Sequence, residues 1–121
     1  MTAGAQRDQV IAACGGKPGS AEDYPFGDEV ALFKVAGRMF ALVSLGAAPG
    51  SVSLKCDPGL AASLRDRYPA VTPGYHLNKR HWNTVTLDGS VPDGEVLELV
   101  DHSYDLVLAS LTRAQRNQLI T

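Results

Sequence analysis

From Val96 to Leu111 the apolar positions Val96, Val100, Tyr104, Val107 and Leu111 recur at helical spacing, with Leu97 and Leu108 widening the stripe. This predicts the strongest helix of the chain, and its early acids suit the positive end of a helix dipole. Ser90 and Asp93, three residues apart, resemble a capping box at its start, and Thr112 with Gln115 repeats the pattern before a short last helix to Ile120. Ser51 to Cys56 has a different period. Val52, Leu54 and Cys56 alternate with Ser51, Ser53 and Lys55, which predicts a strand in a sheet with one wet face and a buried thiol at Cys56. Glu29 to Val35 and Met39 to Leu45 read as two further strands joined by Ala36-Gly37-Arg38, and His81 to Leu87 as a fourth.

The remaining elements follow from punctuation. Thr2 is a candidate cap for a first helix to about Cys14, with Val10, Ile11 and Cys14 as its apolar stripe and Gly15-Gly16 as its stop. Lys17 to Gly27 reads as a loop ending in Tyr24-Pro25-Phe26-Gly27, whose rings are expected to cover the edge of the core. Asp57-Pro58 starts a helix that turns Leu60, Ala61, Leu64 and Tyr68 inward and Arg65, Asp66 and Arg67 outward, until Pro69 ends it. The order helix, three strands, helix, strand, helix, helix implies an α+β two-layer sandwich, with an antiparallel sheet covered on one face by helices.

Length adds that 121 residues make one domain with its own core. No apolar run approaches a membrane span, no secretion signal is visible, and Cys14 and Cys56 have no motif spacing. A monomeric cytoplasmic protein with reduced thiols and no membrane contact is the expectation. Formal net charge is −2, but its distribution is uneven. Residues 30–87 hold seven bases against two acids, whereas residues 88–105 hold six acids and no Lys or Arg. The charges either solvate two ordinary surfaces or mark two functional ones.

Candidate chemistry concentrates in Pro73 to Trp82, a polar loop entering a strand. His76 and His81, with His102 and Cys56 elsewhere, lack the HxxxH or CxxC spacing of a metal site, so no metal or other cofactor is expected. No G-x-S-x-G elbow or phosphate-binding glycine loop is present, and an enzyme is not expected. Nucleic acid fits the residue types better. Lys55, Lys79 and Arg80 can meet phosphates, Asn78 can bond a base or sugar, and Tyr75 or Trp82 can stack, with His76 and His81 contacting bases or orienting the loop. The same residue types also serve protein contacts, and Trp82 can equally be a strand residue at the core's edge. A small-ligand pocket between Tyr75, His76 and Trp82 is a third reading.

Tyr24-Pro25-Phe26-Gly27, Leu54-Lys55-Cys56-Asp57-Pro58, the run from Pro73 to Thr84 and Asp101-His102-Ser103-Tyr104 together resemble the MmcQ/YjbR family of small bacterial proteins, over about Ser20 to Leu111. The resemblance implies a fold similar to CyaY, the bacterial frataxin, and a DNA-binding role through a double-wing arrangement of strands and loops. It brings no catalytic residues. Frataxin's iron role does not carry over, because that family relies on an acidic first helix and here the first helix offers only Asp8. The working expectation is a DNA-binding module using the 73–82 loop and Lys55, and the alternative is a non-enzymatic protein-interaction module.

Overall fold

The computed structural model describes residues 5–46, 48–74 and 77–119. Six strands form one antiparallel sheet: β1 (Ser20–Asp23), β2 (Val30–Val35), β3 (Arg38–Ser44), β4 (Ser51–Lys55), β5 (Val71–Pro73) and β6 (Trp82–Thr86), in the spatial order β1-β2-β3-β4-β6-β5. Helices α1 (Ala5–Gly15), α2 (Pro58–Arg67), α3 (Asp93–Ser110) and α4 (Arg113–Gln118) are the other elements of the described residues. This is the α+β two-layer sandwich expected from the periodicities.

The core lies between the helices and one face of the sheet. Val96, Val100, Tyr104, Val107 and Leu111 are all buried, as the α3 stripe requires. All but Leu111 join Phe33, Val35, Ala41, Val43, Val52, Leu54 and Val85 in one apolar cluster. α1 adds Val10 and Cys14, and α2 adds Ala61 and Leu64. The start of α2 is as read, with the Asp57 side chain accepting from the Gly59 and Leu60 amides and Pro58 in the first turn. Leu60, however, is 38% exposed and does not join the core.

Two strands were hidden in the sequence. β1 falls in the segment read as a loop, and β5 follows α2 for only three residues. Both are sheet edges, where a strand has one partner and need not alternate. Glu22 and Asp23 on β1 and Pro73 on β5 also discourage pairing with another chain at those edges. The Ser90–Asp93 capping box does not form. Ser90 bonds Asp88 through its amide and hydroxyl, and α3 begins after Pro92 without a side-chain cap. Asp93 Oδ1 instead accepts from the buried Gln6 carboxamide of α1, 2.7 Å away. The Thr112–Gln115 box does form. Thr2 and Ile120 lie outside the described residues.

A bulge sits at the centre of the sheet. Phe33 pairs with Ala41 but Lys34 pairs with Met39, which leaves Phe40 as the extra residue on β3. The Ser103 hydroxyl of α3 repairs the ladder there. It donates to the Phe40 carbonyl (2.6 Å) and accepts from the Lys55 amide (2.9 Å), so the helix bridges two strands where their own bonding fails. The Phe40 ring meets Tyr104 edge-on at 5.2 Å.

Ala36 and Gly37, joining Val35 to Arg38, have φ of 51° and 79°, the left-handed pair of a I′ turn. Asn tolerates that region better than Ala, so Ala36→Asn is expected to stabilise the fold by about 1 kcal/mol, read as a higher urea midpoint. The core adds a dependence on pH. Burial pushes the Cys14 thiol up to about 12, with Lys17 pulling slightly the other way. Burial, helped by the Asp57 charge and opposed by Arg65, pushes Cys56 up to about 11. The unfolded chain loses these protons near pH 9, where the folded chain keeps them. Their contribution is therefore complete below about pH 8.5 and is lost as pH rises toward the folded values. The fall in urea midpoint between about pH 8.5 and 10.5 is expected to be smaller in a Cys14→Ala/Cys56→Ala variant than in the parent.

Candidate nucleic-acid interface

Alternation along β6 divides its side chains between the two faces. Asn83 and Val85 pair with Leu54 and Val52 and point to the helices, while Trp82, Thr84 and Thr86 stand on the open face. Trp82 lies directly across from Lys55, so the cation and the indole share one rung on the same side of the sheet. Lys55 makes no side-chain hydrogen bond or ion pair among the described residues, and Trp82 is only partly buried.

Asn83 is a polar side chain in the core, 3% exposed. Its Nδ2 donates to the Ala61 carbonyl of α2 at 3.2 Å, and its Oδ1 accepts from Arg65 Nη1 at 2.9 Å. The same guanidinium nitrogen donates to the Lys79 carbonyl at 3.0 Å. Arg65, expected to face solvent, is instead half-buried and ties α2 to both β6 and the loop before it. That loop is further fixed from within. Asn78 Oδ1 accepts from the Arg80 and His81 amides at 3.0 and 3.3 Å, an Asx-type turn that commits this oxygen to the backbone. Lys79 Nζ donates to the Gly74 carbonyl at 3.1 Å. The His81 carbonyl accepts from Cys56 N–H, and the Trp82 carbonyl from Gly74 N–H at 2.8 Å. A Cβ on Gly74 would stand 2.7 Å from Trp82 Cβ, so only glycine fits against the start of β6.

Among the sequence candidates, Lys55 and Trp82 are thus brought together on the open face, and Arg80 and His81 are exposed on the adjoining loop. Asn78 and Lys79 hold the loop's shape. Tyr75 and His76 lie outside the described residues. Of the other two loci weighed for chemistry, Cys56 is buried, and His102 Nε2 accepts from the Asp57 amide at 3.2 Å. Among the described residues no three His, Cys, Asp or Glu side chains gather into a potential metal-ligand group. Neither Arg65 nor Asn83 was singled out from the sequence. The available signal was Asn83's place on the apolar side of an alternating strand.

A two-layer domain with a braced loop beside an open sheet face is the class these features define. The chain belongs to the YjbR family, whose model matches residues 15–106. It is 38% identical to the YjbR protein of Escherichia coli K12 over 112 residues, covering 93% of this chain and 95% of that protein. Identity to YbdF of Escherichia coli O157:H7 is 31%, over 79% of each chain. Among solved structures, protein DR2400 of Deinococcus radiodurans, a DUF419 protein, matches with a TM-score of 0.88 at 43% identity, covering 98% of this chain and 90% of that one. A Pseudomonas syringae protein matches with a TM-score of 0.70 at 29% identity, over 83% of this chain and 97% of that one.

Because Asn83 is satisfied from two directions, its removal strands a partly buried guanidinium and a backbone carbonyl. Asn83→Ala is expected to cost about 2 kcal/mol. In a cycle with Arg65→Met the double variant should lose less than the sum of the singles. Strictly additive urea-midpoint losses would show that the two side chains do not act as a unit.

Proposed function

We propose that this chain is a non-catalytic DNA-binding module whose contact surface is the Lys55–Trp82 rung together with Arg80 and His81 on the braced loop. The observation that carries the reading is that rung: a cation without a side-chain partner among the described residues stands beside an accessible indole on a solvent face. Phosphates need point charges, and unstacked bases need a flat apolar ring, and the rung offers both within one side-chain length. The loop beside it is held by Arg65, Asn78 and Lys79, so ordering it on binding costs little entropy.

The rival reading, a protein-contact module, draws on the acids of α3. Three of that row are already engaged, Asp93 with Gln6, Asp101 with Lys17 and Glu95 with Arg67. This leaves fewer free carboxylates for a basic partner and favours the DNA reading.

The structure also selects the variant for the test. Charge reversal at Lys79 would disturb the bond to the Gly74 carbonyl, whereas Lys55 and Arg80 have no such side-chain role among the described residues. Lys55→Glu/Arg80→Glu is expected to weaken DNA binding at low salt on the order of tenfold or more. It should also make the dependence of log K on log salt shallower by about 1 for each phosphate no longer neutralised. Fluorescence anisotropy across a salt series reads both quantities. Unchanged affinity and slope would remove this surface from consideration.

A further inference from the structure

Beyond the rung, the open face is not flat. Phe26, in the turn after β1, stands 73% exposed over a trough of about 560 Å³. Val30, Leu42, Ser44, Ser51 and Ser53 complete most of its lining. The expectation that this turn covers the core's edge is therefore not met, since its aromatic ring faces a cleft on the opposite side of the sheet from the helices. Among the described residues the lining carries no charged side chain. Its size falls in the range of clefts that take small organic groups.

We infer that this trough receives an unpaired nucleobase, so that the DNA bound is single-stranded. This rests on the DNA reading above and says which part of the nucleic acid the sheet recognises. The first support is chemical. A base is neutral, flat and apolar on its faces, and polar only at its edges. Phe26 supplies a ring for one face and Leu42 and Val30 an apolar wall. The Ser44 and Ser51 hydroxyls, paired in register, form no hydrogen bond among the described residues and lie ready for a polar edge. Ser53 is already bonded to Thr84 at 2.8 Å and serves as wall.

The second support is continuity of charge. Ser53 pairs with Thr84, and Lys55 with Trp82 is the next rung on the same face, roughly 7 Å along the strands. A base in the trough therefore leaves its phosphate within reach of Lys55, with Arg80 beyond. At the other margin of the face stands Asp23, opposite Leu32, and Lys34 there is occupied by it. The backbone of the strand is steered toward Lys55 and away from β1. A duplex keeps its bases stacked inside and cannot fill the trough.

The test measures anisotropy at low salt for a mixed-sequence single strand, an abasic strand of equal length and a duplex, each with the parent and with Phe26→Ala. Phe26 is exposed, so the variant keeps its fold. The expected result is a loss on the order of tenfold for the base-bearing single strand, with abasic-strand and duplex affinities and the salt slope unchanged. An unchanged single-strand affinity, or an equal loss on the abasic strand, overturns the base site while the DNA reading stands. Absence of binding to all three probes at low salt overturns the DNA reading and the base site together.

Discussion

The buried amide of Asn83 is the interaction on which the display of the open face depends. Side chains alternate along β6, so a slip of one residue would carry Trp82 into the core and Asn83 out to solvent. Hydrophobic burial alone discriminates weakly here, because a tryptophan is welcome inside a core. Asn83 supplies the discrimination. Its carboxamide finds a carbonyl on one side and the Arg65 guanidinium on the other only in the native register, and a slip would leave both of those groups without it. The same guanidinium reaches the Lys79 carbonyl, so the constraint that sets the strand also sets the loop.

How much of this was legible follows from the range of each signal. The α3 stripe and the Asp57-Pro58 start of α2 are local patterns, and each appears in the structure where the residues place it. In β4 the alternation sends Val52 and Leu54 into the core, but Ser53, expected on a wet face, is buried too. β1 and β5 escaped because short edge strands carry no period and are recognised only by their partners. Arg65–Asn83, Ser103–Phe40 and Gln6–Val91 bonds join residues 18, 63 and 85 positions apart, and no local pattern contains both ends. The false capping box at Ser90 shows the converse. A local pattern was present, but the nearer Asp88 carboxylate took the hydroxyl.

The residues read as ligand contacts divide under the same logic. Asn78 and Lys79 are chemically suited to bases and phosphates, yet the loop uses both to satisfy its own backbone. A loop this polar has no core to fold around and must be built from such bonds. Ser103 and His102 are likewise spent on the β3 bulge and on the Asp57 amide. What remains on offer is what the scaffold does not use: Lys55, Trp82, Arg80 and, farther along the sheet, Phe26.

A net charge of −2 does not oppose this surface as strongly as the total suggests. The acidic run belongs mainly to α3, on the far side of the sheet from Lys55. The outer acids of that helix are separated from the open face by the sheet and by a helix of about 10 Å diameter, more than the roughly 8 Å over which physiological salt screens exposed charges. Asp101 and Glu95 are further neutralised by Lys17 and Arg67. Under the proposed DNA reading, a phosphate approaching the open face would respond mainly to Lys55 and Arg80 nearby, and to Asp23 at the β1 margin. The layered fold sets most of the acidic run on the side of the sheet away from Lys55, so the net charge does not describe the field at that rung.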